Sequence, residues 1–226
     1  MNAPHPSGGF DYDLAHLLGG IVLLLSFGLL YQRRTGALIG LYAWQAGVLA
    51  AAAAWQAWVQ GAPELYVTAA VTLAAKAVVI PTALRRIASR LALQRGHEAG
   101  LGIFASLAGG VAVVALAVLV VLPTTLQQAA LTREDLALAL SVVLLGVLVM
   151  ITRRSALGQV IGFMSLENGL ILAALSAAGM PLVVELSVAV LVLVAFVVFA
   201  VFVFRIRGHF DSLDTAHLDR LTHGRE

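Results

Sequence analysis

The chain consists of long runs of apolar residues separated by short polar connections. A helix needs about 20 mostly apolar residues to cross the hydrocarbon core of a bilayer. Windows of that length predict seven transmembrane helices, numbered here as spans 1 to 7. Their approximate bounds are Leu14–Tyr31, Ala37–Val59, Leu65–Leu84, Leu101–Leu122, Leu136–Ile151, Leu157–Ala178 and Leu182–Phe204. The sequence therefore predicts an all-α, polytopic membrane protein.

The composition agrees with this class and excludes several kinds of cofactor and metal site. Hydrophobic residues make up 61% of the chain and charged residues 12%, whereas average proteins are about 25% charged. Because there is no cysteine, no thiolate can hold an iron–sulfur cluster or structural zinc. No histidine lies in the middle of a span, which argues against haem in the bilayer. We expect no cofactor, no metal, no catalytic centre in this chain and no nucleic-acid partner.

The arginines predict the orientation. Cytoplasmic connections carry an excess of Lys and Arg, and the arginine-rich connections here follow spans 1, 3, 5 and 7. All these connections fall on one side of a seven-span chain. The opposite side holds only Arg133 among several carboxylates. We therefore expect a bacterial inner-membrane protein with its N-terminus outside and its C-terminus in the cytoplasm.

Two segments resemble each other and predict an internal duplication. In each, an arginine pair (Arg33-Arg34 or Arg153-Arg154) precedes an Ile-Gly pair and a helix rich in small residues. Because the single span 4 separates the copies, they cross the membrane in the same direction. The expected organisation is a first three-helix repeat over residues 1–95, a linking fourth helix over 96–132, a second repeat over 133–207 and a cytoplasmic tail over 208–226.

The aligned small residues predict close helix packing. They recur every three or four positions, so they form one stripe on each helix, as in small-xxx-small contacts. The aligned glycines are Gly36, Gly40 and Gly47 in the first copy and Gly158, Gly162 and Gly169 in the second. Glu167 lies nearly opposite the stripe of span 6, whereas the aligned residue of span 2 is the neutral Gln45. We expect protein, most simply a partner subunit, to cover the face that carries Glu167.

Three ionisable residues lie within predicted spans. Placing such a residue at the centre of a membrane helix costs about 2.5–3.5 kcal/mol of insertion free energy, so its presence there indicates a functional role. Glu167 is either a structural group bonded to a neighbouring helix or a proton-relay site, with Ser165, Asn168 and Gln45 as supporting polar residues. Lys76 is expected to pair with a carboxylate or to line a hydrated path. Glu185, about one turn inside span 7, is either interfacial or buried.

Proline is expected to distort the helix beside Lys76. Pro81 lacks a backbone N–H, so it cannot donate to the carbonyl of Ala77 one turn earlier. The sequence therefore predicts a kink in span 3.

The residues that follow the second arginine pair carry a family resemblance. The run IGFMSLENGLILAALSAAGMPLVVELSVAVL (Ile161 to Leu191) and the tail FDSLDTAHLDRL (Phe210 to Leu221) resemble the hydrogenase-4 component E family. Its members are membrane subunits of formate-hydrogenlyase-type [NiFe] hydrogenase complexes. The last three spans, with RRSALGQVIG (Arg153 to Gly162), also resemble the K-type subunit of respiratory complex I and the C-type subunit of Mrp antiporters.

The resemblance implies a non-catalytic subunit that carries part of a buried chain of charges, with Glu167, Lys76 and Glu185 as its proton-translocation residues. Its implied partners are antiporter-like subunits and the quinone- or hydrogenase-proximal membrane subunit, with lipid around them. Two positions depart from the pattern: Met164 stands where the K-type subunit has its acid, and Leu191 is apolar where relatives carry a second acid.

Other functions remain open at this point. A subunit of a cation/proton antiporter would share the fold and the glutamate, and a pure scaffold would share only the fold. A seven-span photoreceptor needs a Schiff-base lysine in the last span, but the only lysine is Lys76 in span 3.

Overall fold

The computed structural model describes residues 8–90, 102–124 and 130–176. These residues are helical throughout apart from short connections. The elements are α1 (Gly8–Tyr31), α2 (Thr35–Gln60), α3 (Glu64–Val71), a π segment (Thr72–Val79), α4 (Ile80–Arg90), α5 (Ile103–Thr124), α6 (Ala130–Thr152) and α7 (Ala156–Ser176). Span 7 with Glu185 and Leu191, and the tail, lie outside the described residues.

Six helices of the described ranges are long and apolar enough to cross a membrane. They are Asp13–Tyr31, Thr35–Gln60, Glu64–Ser89, Ile103–Pro123, Glu134–Thr152 and Ala156–Ser176. They coincide with spans 1 to 6, and the third of them joins α3, the π segment and α4 into one continuous helix. The prediction of an all-helical membrane protein is therefore confirmed for this part of the chain. The seventh span and the repeat stay predictions.

Helix α2 ends at a glycine in the turn that leads to α3. Gly61 has a φ of 62°, and its N–H donates to the carbonyl of Trp58. This left-handed conformation suits glycine because it has no Cβ. Pro63 then directly precedes α3, where its missing N–H costs no intrahelical bond. The chain thus reverses in a few residues and lays span 3 against α2.

Helices α1, α2, α6 and α7 form the centre of the bundle. α6 and α7 make the most extensive contact, α1 packs on both α2 and α6, and α2 packs on α7 and on span 3. α5 packs chiefly on α6. As a result α7 is enclosed by several helices, and its buried residues occur on most of its circumference.

Three glycines let the backbones of α6 and α7 approach closely. A Cβ on Gly146 would lie 2.5 Å from the backbone N of Leu166, and a Cβ on Gly169 would lie 2.7 Å from the backbone N of Val143. Gly162 faces the backbone of Met150 at 2.8 Å in the same way. Close backbone approach is what small residues provide in membrane helices, so these glycines are the reason that α6 and α7 pack so tightly.

Candidate functional site: a buried ion pair in the helix bundle

Lys76 and Glu167 form an ion pair in the interior of the bundle. The Nζ atom of Lys76 lies 3.0 Å from Oε1 of Glu167, and the two side chains are only 4% and 3% exposed. Both residues are near the middle of their spans, roughly 13–20 Å along the helix from either end at 1.5 Å per residue. The pairing of Lys76 with a carboxylate, one of the two expectations for it, is therefore confirmed.

The π segment carries Lys76 into this position. Over Thr72–Val79 the helix is wider than an α-helix, and at its end the N–H of Ile80 donates to the carbonyl of Ala75, five residues back. Pro81 follows directly. A π-helical stretch that includes Lys76 therefore lies just before this proline, and the kink stays a prediction. Such stretches are rare and frequently occur at functional sites.

Polar side chains connect the ion pair to α2 and α1, so that the network includes four helices. Lys76 Nζ donates to Asn168 Oδ1 at 3.1 Å, and Asn168 Nδ2 donates to Gln45 Oε1 at 3.2 Å. Gln45 Nε2 in turn donates to Ser26 Oγ at 2.7 Å and to Ser165 Oγ at 2.9 Å. The supporting polar residues of the sequence analysis are thus all within one network that begins at the ion pair.

Apolar side chains close the network at both ends of the bundle. Toward the Gly61 end lies a buried cluster, in which Leu49 and Leu172 come about one turn after Gln45 and Asn168, and Val22 comes about one turn before Ser26. Toward the opposite end Leu38, Leu84 and Ile161 are buried. Charge interactions are stronger between such apolar walls than near water. The pair is therefore a low-dielectric site in which a change of charge has a large energetic effect.

The chain itself covers Glu167. The residue is 2% exposed, and Lys76 of span 3 lies against its carboxylate. The expectation that protein covers this face of span 6 is confirmed, but the expectation of a partner subunit as the cover is wrong. Periodicity places Glu167 opposite the glycines but contains no information on which helix lies there.

The small-residue stripe of α7 divides between two neighbours. Gly162 and Gly169 face α6, whereas Ser165 Oγ accepts its hydrogen bond from Gln45 on α2. Gly158 is buried near the start of the helix, where its N–H donates to the hydroxyl of Ser155. The stripe therefore supplies both a backbone contact and a polar contact.

The glycines of α2 have more room than those of α7. A Cβ built on Gly36 or Gly47 would meet no atom within 4 Å, and one on Gly40 would meet only Arg85 Nη2, at 3.9 Å. The two predicted copies thus differ in how closely these aligned glycines are packed.

Met164 faces α2. The hydroxyl of Tyr42 donates to its sulfur at 3.5 Å. In the predicted repeat, Tyr42 is the residue that aligns with Met164. The lysine partner is reached instead by Glu167, three residues further along α7.

Sequence reasoning missed three polar contributions. Ser26, which also donates to the carbonyl of Val22 at 2.9 Å, is the one polar residue in an apolar stretch of span 1, and this isolation was its signal. In the sequence Arg153 marks the orientation, the predicted repeat and the family resemblance, but its buried guanidinium also donates to the carbonyls of Leu29, Leu30 and Gln32 at the end of α1. No sequence pattern pointed to that contact.

The third contribution lies at the opposite end of the same helix pair. His16 Nδ1 on α1 lies 3.0 Å from Asp135 Oδ1 on α6, with Glu134 3.9 Å from Nε2. These side chains are partly exposed. Arg153 and His16 therefore connect α1 to the α6–α7 pair at its two ends, and the core network lies between them.

Within the described residues, no three His, Cys, Asp or Glu side chains come together as a metal site. The chemistry that the site offers is the exchange of a proton or of charge between an ammonium and a carboxylate, with amides and hydroxyls around them. Glu185 of span 7, the other predicted translocation residue, is outside the described ranges.

Comparison with known proteins identifies a relative of the chain. The chain is 32% identical over 205 residues to a protein of Mycobacterium tuberculosis that is described as uncharacterized protein Rv0085, and the match covers 90% of this chain and 91% of the relative. No family model matches the chain. No solved structure matches it.

Proposed function

The chain belongs to the same family as Rv0085 of Mycobacterium tuberculosis, and we propose that it is a non-catalytic membrane subunit of a complex-I-like, redox-driven ion-pumping complex. In this proposal the buried pair of Lys76 and Glu167 takes part in proton translocation. The chain also anchors the neighbouring membrane subunits of the complex.

The observation that carries the proposal is the ion pair itself. Burying two charges costs several kcal/mol per ion in general, and a well-packed apolar pair of similar size is often as stable or more stable. At the position that aligns with Glu167 in the predicted repeat, the bundle accommodates an uncharged residue, since Gln45 is fully buried and hydrogen-bonded. A charged pair in mid-span is thus poorly explained by stability alone, whereas proton relays in membranes use such groups.

The resemblance of the chain to the hydrogenase-4 component E family supports the choice of complex. It supplies the proposed partners, which are antiporter-like subunits and the quinone- or hydrogenase-proximal membrane subunit. The arginine distribution supports a bacterial inner-membrane location with the N-terminus outside. The proposed enzyme activity belongs to the complex, a membrane-bound [NiFe] hydrogenase or a related oxidoreductase.

Two alternatives use the same observations differently. A subunit of a monovalent cation/proton antiporter also needs a charged pair in the bilayer, without a redox partner. A scaffold without any part in ion movement is favoured by the apolar side chains at both ends of the network, since a static pair requires no proton access. The co-purifying proteins and the effect of a neutral substitution separate these possibilities.

The test begins with the complex from native membranes. The chain, tagged at its C-terminus, is purified in a mild detergent, and the accompanying subunits are identified by mass spectrometry. The proposal expects subunits with Fe–S motifs beside antiporter-like subunits. Antiporter-like proteins alone would favour the antiporter alternative.

The second arm measures proton translocation in inverted membrane vesicles. Glu167→Gln keeps a hydrogen-bonding amide but cannot exchange a proton, so we expect normal assembly and strongly reduced translocation. Glu64→Gln removes a carboxylate from the exposed first turn of α3 and serves as the matched control. Normal pumping by Glu167→Gln would refute the role of the pair and favour a scaffold.

A further inference from the structure

Four hydrogen bonds of the network form a series in which each group donates to the next. Lys76 donates to Asn168, Asn168 donates to Gln45, and Gln45 donates to Ser26. The hydroxyl of Ser26 ends the series by donating to the backbone carbonyl of Val22. The series therefore runs from the π segment through α7 and α2 to α1, and no donor in it faces another donor.

The chemistry of the groups explains this direction. An ammonium has only donors, so Asn168 must present its carbonyl oxygen, and its NH₂ group then faces Gln45. Gln45 must meet that NH₂ group with Oε1, which leaves Nε2 for Ser26 and Ser165. Since Ser26 gives its proton to Val22, its oxygen is available as an acceptor. Each amide orientation thus depends on the next one.

From this arrangement we propose that Gln45, held by Ser26 and Ser165, is a positioning residue that keeps the amide oxygen of Asn168 directed at Lys76. Gln45 bonds to Asn168, Ser26 and Ser165, and in this proposal it acts on the ion pair through Asn168. Any effect of Gln45 on ion movement rests on the proposed function of the pair, whereas its effect on the orientation of Asn168 does not.

Replacement of Gln45 by leucine removes the acceptor for Asn168 Nδ2. The side chain of Asn168 can then rotate its amide, and its oxygen is no longer fixed against the ammonium. A buried NH₂ group without an acceptor costs about 1–3 kcal/mol, and this cost competes with the hydrogen bond to the ammonium that holds the amide in place. Ser26→Ala removes one of the two acceptors for Gln45 and creates little empty volume, so it is a milder second variant for the same effect.

A single lysine makes the test direct. In the full-length chain in lipid bilayers, ¹⁵Nζ-lysine labelling gives one ammonium signal by solid-state NMR, because Lys76 is the only lysine. Labelled asparagine adds Cγ and Nδ2 of Asn168, and Asn2→Ser removes the other asparagine of the chain. In the parent protein Asn168 Cγ should lie closer to Nζ than Nδ2 does. In Gln45→Leu this difference should be lost and the ammonium signal should shift, with a smaller shift in Ser26→Ala.

The matched control is Tyr42→Phe, which removes the bond from Tyr42 to Met164 at the same α2–α7 contact and should leave the ammonium signal in place. An unchanged signal and unchanged distances in both Gln45→Leu and Ser26→Ala would overturn the inference. Equal shifts in Tyr42→Phe would also overturn it, since they would reflect general loosening of the contact.

A double-mutant cycle in vesicles connects this inference to function. If Gln45 acts only through Asn168, Gln45→Leu should reduce pumping in the parent but add no further loss in Asn168→Leu. Additive losses would contradict a positioning role. If Glu167→Gln pumps normally while the NMR result is as expected, the proposed function fails and the positioning of Asn168 stands.

Discussion

Lys76 Nζ and Glu167 Oε1 meet at 3.0 Å with almost no exposure to the surroundings, although one residue lies on a π-helical segment and the other on a regular α-helix. The contact connects the third and sixth spans of the chain. Because each charge is balanced chiefly by its partner, the removal of one charge and the removal of both should differ in their effect on stability.

We expect either single substitution, Lys76→Met or Glu167→Leu, to destabilise the chain by about 3–5 kcal/mol, because each leaves a buried charge without its partner. The double variant should recover most of the loss, since two apolar residues of similar size replace the pair. Unfolding in mixed micelles, followed by circular dichroism, measures these differences. Additive losses in the double variant would contradict a direct energetic coupling.

Substitution by alanine should be tolerated less well at the glycines of α7 than at those of α2. Gly169→Ala places a Cβ 2.7 Å from the backbone N of Val143, and this backbone cannot move aside without separating α6 from α7. We expect a loss of about 1–3 kcal/mol, typical of overpacking. Gly47→Ala, with nothing within 4 Å of the added Cβ, is the control and should be neutral or gain up to about 1 kcal/mol from helix propensity. The same unfolding experiment measures both variants. Equal effects at the two positions would contradict a close backbone contact of α6 and α7 at Gly169.

Arg153 should be required for the attachment of α1 to the α6–α7 turn. Its guanidinium reaches three carbonyls that α1 leaves without intrahelical donors at its end. Arg153→Gln should cost about 1–3 kcal/mol, since several buried acceptors lose a charged donor. Arg154→Gln, at an exposed neighbouring position, should change stability little. Hydrogen exchange at the end of α1 should rise in Arg153→Gln only.

The orientation can be measured with reporter fusions. Fusions after Arg95 and after Arg225 should report the cytoplasm, and a fusion after Arg133 should report the periplasm, because the arginine-rich connections are retained inside. The chain has no cysteine, so single cysteines at the same positions provide an independent check by labelling from outside. A periplasmic C-terminus would show that the number of spans or the orientation is wrong.

The class of the protein and the depth of its charged residues can be read from the sequence. Apolar runs of bilayer length determine where spans 1 to 6 lie, because in lipid the backbone must satisfy its own hydrogen bonds within a helix. The same windows place Lys76 and Glu167 near the middle of their spans. Because burying a charge in the bilayer is costly, both residues were candidates for a functional site. The expectation that Lys76 either pairs with a carboxylate or lines a hydrated path followed from that cost.

Which side chains contact one another depends on the packing of the helices and is visible only in the fold. Periodicity gives the angle of a residue on its own helix, so it could place Glu167 opposite the glycines, but the neighbour on that side depends on how separate helices pack. The contacts of Lys76 with Glu167 and of Arg153 with the end of α1 join parts of the chain far apart in sequence. The π segment was not predicted by local patterns either. Pro81 predicts a kink in span 3, but the sequence does not show that the helix widens around Lys76.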